Sequence, residues 1–161
     1  MLLRFKAILL ISLFVAGCSR EDAPLVDVDP ISSDDEEINA AMDHARDTFA
    51  DFVATSQDTE TEGTGFLAKV RIGEGDVFED LWVNGIKAEE DGFSGIVNEA
   101  PMKLQKVEAL EEVRFTENQI VDWQYFADGK IVGAFTTRVE RGRMTEEERT
   151  EHDELYPFPF D

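Results

Sequence analysis

The chain has 161 residues, with 36 Asp and Glu against 15 Lys and Arg and a formal charge of −21 at pH 7. That balance argues against nucleic acid, whose phosphates need clustered Lys and Arg, and against docking on anionic lipid by charge alone. A single cysteine excludes an internal disulfide and a Cys-rich zinc site.

Residues 1–17 open with Arg4 and Lys6 and continue into an apolar run, Ala7 to Ala16. The run is shorter than the ~20 residues a bilayer-spanning helix needs, and it has the pattern of a secretory signal. Its end, Val15-Ala16-Gly17-Cys18, resembles a bacterial lipobox, which makes Cys18 the expected lipidation site. Several acyl chains at about 0.8 kcal/mol per buried CH₂ give stable membrane anchoring. Ser19, rather than Asp, follows the cysteine, and that resemblance to a sorting pattern points to the outer membrane. The rest of the chain then carries 13 basic against 36 acidic side chains. Such a surface favours solubility and a basic protein partner.

Residues 18–35 are acidic, broken by Pro24 and Pro30, and without helical period, which reads as a disordered tether. The folded domain is expected over 36–161. Its first element is a helix over Asp34 to Thr55, capped by Ser33 or Asp34. Ile38, Ala41, Met42, Ala45, Phe49, Phe52 and Val53 line one face of it.

Strands follow. Phe66, Ala68, Val70 and Ile72 alternate with Leu67, Lys69 and Arg71. Gly73 to Asp76 turns the chain into a second strand containing Leu81, Trp82 and Val83. Asn84-Gly85 is read as a bulge in that strand, and Asp91-Gly92 as the turn into Phe93 to Val97. Ala109 to Phe115 is the next predicted strand. Ile120 to Phe126 and Ile131 to Phe135 flank Asp128-Gly129, a strong hairpin signal. The dense aromatic content of Gln119 to Arg143 places this hairpin at the centre of the predicted core. A short helix is expected after Gly133. Thr145 to Glu148 forms a capping box for a last polar helix ending near Glu154. Leu155 to Asp161 alternates aromatics with Pro157 and Pro159, which suits an extended tail laid on an apolar surface; a free peptide motif is the alternative. The fold class is therefore α+β: one antiparallel sheet of about five strands with the N-terminal helix packed on it and short C-terminal helices.

Several segments together resemble the YegJ-like family of bacterial proteins of unknown function. They are Trp82-Val83, Phe93 to Glu99 with Pro101, Ile120-Val121-Asp122-Trp123, Asp128 to Gly133, Phe135-Thr136, Arg138, and Met144 to Arg149. The resemblance covers roughly Asp34 to Arg149. Ala100 between Glu99 and Pro101 departs from it. Its members are often envelope or secreted proteins, and it brings no catalytic residues to transfer.

The search for chemistry is sparse. Ser94 lacks a Gly-x-Ser-x-Gly elbow, and the glycines form no phosphate loop. His44 and His152 are the only histidines. Glu148 and His152 share a helix face without further ligands, so no metal or cofactor is expected. Asp122, between Val121 and Trp123, is the one carboxyl with the setting of a general acid. Its competing role is to accept bonds from backbone N–H groups or from Arg138 and so fix the hairpin. The function expected is a non-catalytic binding module, the alternative a small envelope hydrolase using Asp122 or a histidine. The candidate binding surface comprises Trp82, Asn98, Glu99, Asp122, Trp123, Arg138, Phe158 and Phe160.

Overall fold

The computed structural model describes residues 33–156 and 158–161. The signal segment, Cys18 and residues 19–32 of the expected tether lie outside the described residues. Among those described, no helix is long and apolar enough to cross a membrane.

The first helical stretch is two helices, not one: α1 (Glu36–Asp47) and α2 (Phe49–Gln57). Asp35, rather than Ser33 or Asp34, caps α1, its carboxylate accepting from the Glu37 and Ile38 amides. The break falls at Thr48, whose hydroxyl donates to the His44 carbonyl at 2.7 Å. The Ala45 carbonyl accepts the Trp123 indole N–H at 3.0 Å. The apolar face predicted from spacing is kept across the break. Met42 packs on Val121, while Phe49, Phe52 and Val53 enter the main core.

The strands are β1 (Thr64–Glu74), β2 (Val77–Glu89), β3 (Gly92–Val97), β4 (Glu112–Phe115), β5 (Ile120–Ala127) and β6 (Lys130–Gly133). They form one sheet in the order β4-β3-β2-β1-β5-β6, every pair antiparallel. The expected α+β class holds, with six strands instead of about five. The first four strands make a meander, and a 3-10 turn, Glu117–Gln119, returns the chain to the far side of β1. The Gln119 amide ties that turn to β1 by donating to the Arg71 carbonyl at 2.9 Å.

Period-two alternation sets the faces. Ala68, Val70, Ile72, Leu81, Val83, Val97, Phe115 and Trp123 are buried in the main core. Gly85 (φ +60) sits in a register shift between Asn84 and Lys87, the predicted bulge. The β2–β3 turn is Glu90-Asp91, one residue earlier than expected, with Gly92 opening β3. The predicted strand from Ala109 shortens to start at Glu112. Asp128 and Gly129 both have positive φ, as a two-residue hairpin requires.

The hairpin contributes Ile120 and Trp123 to the main core, as expected, although it lies to one side of the sheet. β1 and β2 are central, and β6 is an edge strand. The aromatic density signals this core contact by β5 and carries no information on strand order. Trp123 stacks on Phe52 at 5.0 Å, and Phe66 on Tyr125 at 4.7 Å. Such pairs are worth about 0.5–1.5 kcal/mol each beyond the area they bury.

α3 (Phe135–Arg143) and α4 (Glu146–Leu155) follow β6. The Thr145–Glu148 capping box forms as predicted. Arg141 bonds Asp153 and so joins α3 to α4, and Arg143 bonds Asp35 and Glu37 at the start of α1. The tail then runs beside β6: Ile131 N–H donates to Pro159 O at 2.8 Å, and Asp161 N–H to Ile131 O at 3.0 Å. The predicted extended packing is present as a parallel bridge on the sheet edge.

Candidate functional site

The motif residues meet where β5 loses its strand neighbour. β6 pairs only with Gln124 to Ala127, so residues 120–123 have no strand on that side. α3 fills the gap. Its start is abrupt, because Ala134 is left-handed (φ +56) and offers no capping side chain. The first amides of α3 would then lack acceptors.

Asp122 supplies them. One carboxylate oxygen accepts from the amides of Trp123 and Phe135, both at 2.9 Å. The other accepts from the Thr136 amide at 2.9 Å and the Thr136 hydroxyl at 2.6 Å. The carboxylate is thus an N-cap delivered from a strand, and its charge opposes the positive end of the helix dipole. Its side chain is 0 % exposed. Burial pushes the carboxyl above its usual range, while the four donors pull against that shift. A raised carboxyl is the first requirement of a general acid. Contact with a substrate is the second, and a fully buried group with all four acceptor directions occupied does not make it.

Gly133 and Trp123 complete the joint. A Cβ on Gly133 would lie 2.4 Å from the Trp123 carbonyl oxygen and 2.6 Å from its ring. Gly133 also has φ +81, so only glycine fits without strain. Phe135 meets the Trp123 ring edge-on at 5.1 Å. Arg46 of α1 donates to the Ile120 carbonyl at 2.9 Å. The series Asp122-Trp123, Gly133, Phe135-Thr136 is therefore one joint between sheet edge and helix.

Arg138 does not bond Asp122. Its Nε donates to Gly133 O at 2.7 Å and Nη2 to Ile131 O at 3.3 Å, and it pairs with Asp161. The Phe160 ring lies 4.9 Å from its guanidinium carbon, and Phe158 meets Phe126 at 5.0 Å.

The remaining candidates lie elsewhere. Trp82 is half-buried under the Lys69 ammonium at 5.6 Å, on the sheet face where Arg71 forks onto Asp80 at 2.6 and 2.8 Å. Asn98 and Glu99 are exposed at the end of β3, Asn98 accepting from Asn84 at 3.1 Å. The eight candidates are hence not one surface. Asp122 and Trp123 are interior, Arg138, Phe158 and Phe160 line the β6 edge, and Trp82 with Asn98 and Glu99 belong to the β2–β3 side.

His44 is exposed and meets Phe135 edge-on at 4.5 Å, and His152 contacts Asp153 at 3.2 Å. Neither bonds Asp122. Glu148 is committed to its capping box. Among the described residues, no group of three or more His, Cys, Asp or Glu could hold a metal ion.

One cluster escaped the sequence reading. Glu79 accepts from the amides of Met102, Lys103 and Leu104, at 2.8, 2.7 and 3.3 Å. Glu74 accepts from those of Gln105 and Lys106, at 3.2 and 2.6 Å. Both carboxyls are held below their usual range, chiefly by these amides. The available signal was an acid at a core-facing strand position, Glu79 standing between Val77 and Leu81. Above these carboxylates, Met102 is 90 % exposed.

Comparison with known proteins adds a family. Residues 35–160 match the family described as uncharacterized protein conserved in bacteria, DUF2314. A protein of Neisseria meningitidis serogroup B, strain MC58, is 32 % identical over 136 residues, covering 78 % of this chain; its name reads "Putative ankyrin repeat protein NMB1133/NMB1171". The chain spans about half of that relative, 53 % of its length. No solved structure matches. Neither the family description nor the relative's name mentions an enzyme. With more than half of its length matched, the chain belongs to the DUF2314 family of uncharacterized proteins conserved in bacteria.

Proposed function

We propose that the protein is a non-catalytic binding module held at the bacterial outer membrane by lipid on Cys18 and facing the periplasm. One observation carries the first half: Asp122, the carboxyl best suited to acid catalysis, has every acceptor position taken by the fold. The Val15-Ala16-Gly17-Cys18 pattern supports the second half, and Ser19 supports outer-membrane sorting. The YegJ-like resemblance, whose members are often envelope proteins, fits the same placement. The relative is named an ankyrin repeat protein, but the described fold of this chain contains no stacked helix pairs of the repeat kind.

A chain this acidic meets a protein partner with a mainly negative surface, so a partner with a basic patch associates faster at low salt. A fatty-acid analogue supplied to cells should label wild type and not Cys18→Ser. Label kept in that variant refutes the anchor, and sedimentation with the inner membrane refutes the sorting. A panel of hydrolase substrates tests the first half. Turnover lost in Asp122→Asn while the melting transition stays intact would establish the hydrolase instead.

A further inference from the structure

The chain's own tail lies along the edge of β6. Arg138 is held there in part by the Gly133 and Ile131 carbonyls of the sheet. The tail adds two backbone bonds to Ile131, the Phe158 ring against Phe126, the Phe160 ring over Arg138, and the Asp161 carboxylate on the same guanidinium. These contacts read a pattern: aromatic, any residue, aromatic, acid. The tail and the residues leading into it stay open to solvent. Leu155, Tyr156 and Phe158 are 76 %, 57 % and 46 % exposed.

We infer that the β6 edge is a strand-addition site for a partner protein's extended segment of this aromatic-x-aromatic-acid pattern, with residues 158–161 as a displaceable internal substitute. The inference rests on the binding-module reading above and names its site. Strand addition draws affinity from main-chain bonds and specificity from alternate side chains, and Ile131 with Phe126 and Arg138 supplies both. An edge strand left open invites promiscuous pairing, which the tail prevents. A tethered tail competes at an effective concentration on the order of mM, so only a matching segment displaces it. The acid preference is local to Arg138 and coexists with a partner that is basic elsewhere.

The probe is a fluorescent peptide, Leu-Tyr-Pro-Phe-Pro-Phe-Asp, added to the full chain carrying Cys18→Ser. Weakening the internal tail by Phe158→Ala with Phe160→Ala should tighten peptide binding at least ten-fold, and Arg138→Ala on that background should abolish it. No saturable binding to the weakened-tail variant, at an unchanged melting temperature, overturns the inference. If that variant fails to fold, hydrogen exchange on the intact chain decides. The Ile131 amide, whose acceptor is the tail, should exchange at least ten-fold faster than the Thr136 amide. Equal rates overturn the inference, because the tail would then leave only with global unfolding. A dimer formed by exchanged tails, seen by light scattering, also overturns it in favour of a second copy as occupant. Photo-crosslinking in cells from position 130 and from position 82 separates the two claims. Capture from 130 of a segment bearing the pattern supports the edge site. A defined partner captured only from 82 refutes the site and leaves the binding module standing.

Discussion

Replacing Asp122 by Asn tests the joint between β5 and α3 with almost no change of shape. The native carboxylate serves four donors with two oxygens. Asn keeps one oxygen, so two of the four donors face an amide NH₂ and lose their acceptor. Each buried donor left unsatisfied costs about 1–3 kcal/mol, and bonds to a charged acceptor lie at the upper end. Removing a buried charge, whose burial raises its own proton affinity, returns part of that. The expected net loss is about 3 kcal/mol, a large share of the roughly 5–15 kcal/mol that holds a domain together. At roughly 4 °C per kcal/mol, the melting temperature should fall by about 12 °C. Urea denaturation followed by tryptophan fluorescence reads this directly, because Trp123 adjoins the carboxylate. Thr136→Val should cost about 1–1.5 kcal/mol, and the double variant less than the sum of the two. A loss below about 0.5 kcal/mol for Asp122→Asn would mean that the carboxylate does not cap α3, and the proton-donor role would return to consideration.

Three further outcomes follow from the same geometry. Gly133→Ala forces a methyl group to 2.4 Å from the Trp123 carbonyl at positive φ, and should cost about 3 kcal/mol or more, or prevent folding, as thermal melting will read. Glu79→Gln removes one of two oxygens facing three amides, and should speed hydrogen exchange of Met102 to Leu104 while leaving the Ile120 amide unchanged. Arg141 holds the Asp153 carboxyl down to about 2. A lowered folded-state value adds stability above the unfolded value near 4 and loses it as pH falls through about 2. Asp153→Asn should therefore flatten the stability profile between about pH 4 and 2 and, above pH 5, lower it by a constant amount without changing its slope.

Much of the fold was legible because local signals agreed with it. Alternation over Phe66 to Ile72, Asp128-Gly129 at a two-residue hairpin, and Thr145 to Glu148 at a helix start each act within a few residues. The helix break was hidden because its cause is remote: the indole of Trp123 arrives at Ala45 from β5. The hairpin's contact with the core was legible, but its place in the sheet was not. Aromatic density reports burial: Trp123 is buried and Tyr125 partly buried, both against Phe52 of α2, while their strand lies one place from the edge. Asp122 was singled out by its apolar neighbours. Its actual partners, Phe135 and Thr136, lie 13 and 14 residues away, and no spacing rule connects them. Of the two partners expected for Asp122, the backbone N–H groups are present and Arg138 is not, because the sheet carbonyls that hold Arg138 cannot be read from side-chain identities.

The central claim is that Asp122 and the Gly133–Thr136 segment lock sheet to helix instead of performing chemistry. Native-state hydrogen exchange of the Phe135 and Thr136 amides tests it most directly. Both donate to a carboxylate that is fully buried, at 2.9 Å. They should exchange only through global unfolding, with protection matching that of the central strands β1 and β2, and should lose it selectively in Asp122→Asn. Exchange of these two amides at the rate of the exposed 98–100 loop would contradict the lock.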